Sequence, residues 1–219
     1  MKRILEPEVM DDRKQAIAYA KADFSSSNQM FVDGLMAIYP DRLGYILDIG
    51  CGPADVPIRI ARAAPFARII AVDASLPMVE LARNAIQEAA LQDNVEIILG
   101  RLPGLSFGEH RFQAIVSKDL LHHLPDPLVF WKEIVGLATE ETAVYVMDLF
   151  RPDSSEHARR IVECVCGSEP DVLKEDFYNS LLAAFTVDEI RDQLASVRLN
   201  MNVQQVSERH ILVHGIPSG

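Results

Sequence analysis

Five stretches of the chain are apolar at nearly every position: YILDIG (45–50), ARIIAVD (67–73), VEIILG (95–100), FQAIVS (112–117) and TAVYVMDL (142–149). Unbroken runs of this kind, rich in Ile and Val, fit strands buried on both faces, as in a parallel sheet covered by helices. A strand wet on one side would alternate instead. Between the runs, apolar positions recur at helical spacing in LPMVELARNAIQEAAL after Ser75 and in PLVFWKEIVGLA after Asp126. Ser75 can cap its helix with a side-chain oxygen, and Asp126 followed by Pro127 combines a capping carboxylate with a preset first helical residue. The alternation predicts a doubly wound α/β sheet.

The two ends depart from this rhythm. From Asp11 to Tyr39 apolar residues at Ile17, Ala20, Phe24, Met30, Phe31, Leu35 and Ile38 keep a helical period that breaks at SSSN, which predicts two helices joined by Ser25 to Asn28. In the tail, Thr186-Val-Asp-Glu189 is a capping box that starts a helix. The runs MNVQQV and RHILVHG that follow are close enough to pair as an antiparallel hairpin. No shift in composition marks a linker, so residues 1–219 read as one domain. Its parts are a helical cap (1–43), a sheet core (44–154), a helical insertion or lid (155–198) and a closing hairpin (199–219).

Charge narrows the partners. Lys and Arg number 21 against 32 Asp and Glu, a net charge of -11, so the surface as a whole repels phosphate backbones and anionic membranes. Nucleic acid is disfavoured, and no run approaches the ~20 apolar residues of a membrane span. Cys51, Cys164 and Cys166 lack metal-type spacing and fit a reducing cytoplasm. A homodimer is compatible with this sequence.

The candidate chemistry lies at strand ends. In an open parallel sheet, ligands sit beyond the carboxyl ends of the strands. Gly50 and Gly52 fall there after the first strand, where bare backbone allows a sharp turn and close approach of a ligand. Asp73, 25 residues after Asp48 and ending the second strand, is placed to accept hydrogen bonds from both hydroxyls of a ribose. A nucleoside-bearing cofactor is implied. The turn reads Gly50-Cys-Gly52-Pro-Ala-Asp55, and an acid beside that helix start would repel a pyrophosphate, while it suits a cationic ligand or a helix dipole. Cys51 reads as a small loop residue offering backbone.

ILDIGCGPA, from Ile46 to Ala54, resembles the first motif of the class I S-adenosylmethionine-dependent methyltransferases, with Ala54 where a third glycine usually stands. The resemblance implies a seven-stranded sheet with an antiparallel last strand, S-adenosylmethionine as cofactor, and a small-molecule acceptor. It gives Asp73 the ribose and Asp48 the glycine loop or the methionine end. Ala74 and Ser75 after the second strand, Arg101 and Leu102 after the third, and Ser117 and Lys118 at the end of the fourth complete the cofactor side with Gly50, Cys51 and Gly52. The family often has an acid for the adenine amino group after the third strand; LGRLPGL has none, so backbone and apolar contacts are expected there. VSKDLLHHLPDP is similar to the family's fourth-strand motif and aligns His123 with its histidine.

Direct methyl transfer needs nucleophile, methyl carbon and sulfur in line, which is mainly a positioning task. If the acceptor proton has a high pKa, His123, His122 and Asp119 are the candidate bases. Asp148 and Arg151 at the end of the fifth strand, and Tyr178 and Asn179 in the insertion, are candidate acceptor contacts; Tyr19, Phe24 and Asn28 are candidates to close over the cofactor. Asp119, His122 and His123 lack a third distant ligand, so no metal is expected. Two other classes stay open at this level: a nicotinamide-dependent oxidoreductase, and a non-catalytic module that binds the cofactor or a partner.

Overall fold

The apolar runs assemble into a seven-stranded sheet in the order β3-β2-β1-β4-β5-β7-β6. The strands are β1 (Tyr45–Ile49), β2 (Arg68–Asp73), β3 (Val95–Leu99), β4 (Ala114–Lys118), β5 (Ala143–Leu149), β6 (Asn202–Gln205) and β7 (His210–Gly215). The first five are mutually parallel, and β7 runs antiparallel to both β5 and β6, the expected closing hairpin. The computed structural model describes residues 1–6, 12–108, 111–167 and 169–217. Residues 7–11 of the expected cap, 168 of the insertion and 218–219 of the closing segment lie outside the described residues.

Both faces of the sheet are covered, which is why its strands lack polar alternation. Ile46, Ala71, Val116, Tyr145 and Met147 pack on one face with α2 (Ser25–Ile38), α3 (Asp55–Ala63) and α4 (Leu76–Glu88). Leu47, Ile49, Val72, Ile115, Val144 and Val146 pack on the other with α5 (Leu128–Leu137) and α8 (Val187–Ser196). Fully burying one such aliphatic side chain stabilises by ~1.5–3 kcal/mol. Helix α2 lies close against β5: a Cβ on Gly34 would come within 2.2 Å of the Tyr145 hydroxyl, and Phe31 meets the Tyr145 ring edge-on at 5.0 Å.

Three boundaries differ from expectation. α1 (Arg13–Lys21) ends before Ala22, and Ser25 to Asn28 form the first turn of α2 and not the joint. Ser and Asn bond well at a helix start, and the amide of Ser25 is taken by Asp23 Oδ1 at 2.9 Å. Asp126 accepts from the amide of Leu128 at 3.0 Å, so α5 starts one residue past Pro127. The insertion folds as α6 (Ser155–Cys166) and α7 (Asp171–Ala183), which pack on each other and on Leu149 through Ala158, Ile161, Val162, Leu181 and Leu182. The capping box of α8 forms as read, with Thr186 and Glu189 exchanging side-chain to backbone bonds.

Candidate functional site

Strand order reverses between β1 and β4, and the crevice at their carboxyl ends opens into a cleft of about 390 Å³. Its floor is the turn after β1. Gly50 and Gly52 take positive φ of 81° and 52°, and the amides of Gly50 and Cys51 both bond the carbonyl of Val72, at 2.8 and 3.0 Å. A Cβ on Gly50 would strike the Leu120 side chain at 2.9 Å, so glycine there serves packing. A Cβ on Gly52 would meet no protein atom within 4 Å, so glycine there serves the open space. Ala54 also takes the left-handed region at φ 71°, conformationally doing a glycine's task.

Two carboxylates stand around this turn. Asp73 accepts from the amide of Gly52 through Oδ2 at 2.8 Å and from the amide of Ser75 through Oδ1 at 2.9 Å, so it faces the bend. Burial pushes its carboxyl up, with those amides opposing. Asp48 is only 1% exposed, and its Oδ2 has no partner among the described residues. Burial, with the Asp73 charge added, pushes the Asp48 carboxyl up to about 7. A buried carboxyl without a donor is costly, and the cost ends when a donor or a cation arrives. Burial and the neighbouring acids raise the Cys51 thiol far enough to keep it protonated, which leaves it a packing role.

Cations along the cleft are already engaged. Arg59 Nε lies 2.7 Å from Asp55 Oδ2, which also accepts from Asn28 at 2.6 Å, tying α2 to the start of α3. Lys118 is bonded to Asp119. Burial alone would raise Asp119, but the Lys118 ammonium and, behind it, His210 hold its carboxyl below the usual range, so it is an anion. Val72, Met78, Leu102 and Leu105 supply apolar wall beside Gly100 and Arg101, while Tyr19, Phe24 and Asn28 close the other side. Burial, then the charges of Asp119 and Asp73, raise the Tyr19 phenol, which stays protonated.

Of the residues assigned to the cofactor from sequence, Asp48, Gly50, Cys51, Gly52, Asp73, Ala74, Ser75, Arg101, Leu102 and Lys118 all line this cleft; Ser117 does not. Its hydroxyl bonds the carbonyl of Ile49 at 2.7 Å and braces β4 against β1. Asp119 and His123 line the cleft; His122 does not. His122 is 3% exposed and its Nδ1 lies 2.6 Å from Asp148 Oδ1; burial opposes its charge, but Asp148 prevails and raises its pKa.

Asp148, Arg151, Tyr178 and Asn179, the expected acceptor contacts, do not line the cleft. Asp148 also accepts from the amides of Leu121 and Leu149, at 2.6 and 2.7 Å, and so is fully engaged. Arg151 bonds the carbonyl of Ala184 at 3.0 Å and Glu189 Oε1 at 2.6 Å, joining the end of β5 to the start of α8. Tyr178 packs in the α6–α7 cluster beneath the Arg159 guanidinium, whose carbon is 5.0 Å from the ring. Met78, Leu105 and Leu124 were missed as lining residues because the sequence shows them as ordinary apolar positions. Glu6 was missed for a different reason: nothing near it in sequence points to the histidines it reaches.

Residues 46–140 match a family model described as "Methyltransferase domain". An uncharacterized methyltransferase of Mycobacterium tuberculosis is 29% identical over 119 residues, 54% of this chain and 57% of that protein. A malonyl-[acyl-carrier protein] O-methyltransferase of Priestia megaterium is 31% identical over 116 residues, 53% of this chain and 40% of that protein. These matches therefore span about half the length of the relatives or less. Among solved structures, a putative S-adenosyl-L-methionine-dependent methyltransferase from Methanococcus maripaludis superposes with a TM-score of 0.74 at 18% identity, covering 99% of this chain and 98% of that one. A SAM-dependent methyltransferase from Aquifex aeolicus gives 0.69 at 16%, covering 93% and 97%. With the sheet order, these likenesses show that the chain has the Rossmann-like class I fold of the methyltransferase structures it resembles, and residues 46–140, which hold the glycine turn, are the part similar to the methyltransferase-domain model.

Proposed function

We propose that the cleft binds S-adenosylmethionine and that the chain methylates a small-molecule acceptor. The observation that carries this reading is the buried Asp48 carboxyl, whose Oδ2 has no partner among the described residues, beside Asp73 and beneath a turn that leaves room at Gly52. That pairing fits a ligand with a positive end and a ribose. It argues against a pyrophosphate, because Asp48, Asp55, Asp73 and Asp119 ring the cleft while Arg59 and Lys118 are each already on an acid. When bound, S-adenosylmethionine supplies an electrophilic methyl group on a sulfonium.

This chain's residues then have separable tasks. Asp73 would exchange its amide partners for ribose hydroxyls or share them, and Asp48 would meet the cationic end. Val72, Met78, Leu102 and Leu105 exclude water from the base. Asp119 and His123 are the two groups on the opposite rim able to take a proton from an acceptor. The three cysteines are free thiols, in keeping with a cytoplasmic setting, and no helix among the described residues is long and apolar enough to cross a membrane.

Isothermal titration with S-adenosylmethionine, S-adenosylhomocysteine and NAD tests the reading. Binding of the first two, lost in Gly52→Val, is expected. Binding of NAD alone would overturn it in favour of the oxidoreductase class.

A further inference from the structure

Three side chains meet at the edge of the cleft, and methyl transfer gives a task to only one of them, His123. Glu6 comes from the amino-terminal segment, His122 and His123 from the single helical turn after β4. Glu6 Oε1 lies 3.4 Å from His122 Nε2 and 3.0 Å from His123 Nδ1, and the three atoms fall within 4.8 Å of one another. Yet Glu6 Oε1 and His123 Nδ1 are both buried with no hydrogen bond among the described residues. Their separation suits a hydrogen bond, but their directions do not.

The far atom of two of these groups is held from behind. His122 Nδ1 is against Asp148 Oδ1 at 2.6 Å, and Glu6 Oε2 accepts from the Ser180 hydroxyl at 3.2 Å. With its Nδ1 proton given to Asp148, the His122 ring aims Nε2 at Glu6 Oε1, and what stands between these two atoms is either a second proton on the imidazole or a metal ion. A metal ion takes the place of that proton and reaches His123 Nδ1 as well. Ligands ~2.0–2.1 Å from a tetrahedral metal stand about 3.3 Å apart, and the two spacings on either side of Glu6, 3.4 and 3.0 Å, bracket that value. Carboxylate and hydroxyl partners behind the ligands are the usual second layer of such a site.

We propose that Glu6 Oε1, His122 Nε2 and His123 Nδ1 bind a divalent transition-metal ion of the zinc class. Two imidazoles and one carboxylate suit Zn²⁺, Co²⁺, Ni²⁺ or Fe²⁺ and disfavour Mg²⁺ and Ca²⁺, which prefer all-oxygen cages. The ion would cross-link the amino-terminal segment to the turn after β4, at the edge of the cleft. Were Nδ1 of His123 on the ion, its Nε2 would carry the proton and only donate, leaving Asp119 as the rim's proton acceptor. That last consequence rests on the proposed function; the ion does not.

The test is a titration of chelator-treated protein with Co²⁺, read by visible absorption and by the unfolding temperature. One Co²⁺ per chain is expected, displaced by Zn²⁺ and not by Mg²⁺, with a rise in unfolding temperature. Glu6→Gln, which keeps the side chain's shape, should weaken binding at least ~100-fold, and Ser180→Ala by roughly tenfold, as for loss of an outer partner. No absorption band up to millimolar Co²⁺ would overturn the proposal and leave a shared proton on His122 as the occupant; so would unaltered Co²⁺ binding by Glu6→Gln. S-adenosylmethionine binding is measured separately in the same samples, so each reading can fail without the other.

Discussion

The ends of β1 and β2 and the ends of β4 and β5 lie along the same edge of the sheet, and both carry buried carboxylates. On the first side Asp48 Oδ2 has no partner among the described residues and Asp73 holds amides of the turn. On the second side Asp148 holds two amides and a histidine, and Arg151 beyond it holds a carbonyl and a carboxylate. One side is left incomplete and the other is satisfied by its own protein. A polar residue at a strand end therefore identifies a ligand site only where its hydrogen-bonding capacity is unspent.

The largest expected effect breaks the satisfied side. Asp148→Ala would strand His122 and the amides of Leu121 and Leu149, with a loss of about 3–5 kcal/mol in urea unfolding. An unchanged midpoint would remove the distinction between the two sides.

Asp48→Asn tests the incomplete side through pH. The folded carboxyl, at about 7, lies above its ordinary value of 3.8, so the folded state binds the proton more tightly than the unfolded state. Its stabilising effect is fully present below about pH 4 and is lost as pH rises through 7. The difference between the wild type and Asp48→Asn should thus move by up to about 4 kcal/mol in favour of the variant between pH 4 and pH 8, read from urea curves along that range. Affinity of the wild type for a cationic ligand runs the other way and rises with pH.

Asp73→Asn should fold and bind S-adenosylmethionine about 10–100-fold more weakly by calorimetry, the worth of ~1.5–3 kcal/mol of charge-assisted hydrogen bonding. Gly52→Ala should lose about 1 kcal/mol to its left-handed backbone while its Cβ intrudes on the cleft alone, so binding suffers more than stability. Smallest is Ala54→Gly. Relief of ~1–2 kcal/mol at φ 71° is offset by a lost buried methyl, ~0.8 kcal/mol, and by a looser unfolded chain, so the unfolding midpoint should hold to within about 1 kcal/mol.

The sheet was legible because burial on two faces writes itself into consecutive residues, and the glycine turn because backbone freedom and strand-end acids sit within 25 positions of one another, from Asp48 to Asp73. The engagement of Asp148 and Arg151 was not legible, since their partners, from Leu121 to Glu189, come from elements that only the fold brings near. His122 and His123 are adjacent in sequence, and only Asp148 distinguishes them by holding the first. The two-helix entry was right in number and displaced in position, since Asp23 capped where serines were expected to interrupt.

The Arg3 guanidinium clasps the carbonyls of Ala183, His122 and Leu124 and covers the Phe185 ring at 3.9 Å. Ala183 is 180 positions downstream, so during synthesis Arg3 waits for this counterpart until α7 has left the ribosome. Docking of the leading segment is then completed late, and a nascent chain stalled before α7 would hold it only through the carbonyls of His122 and Leu124.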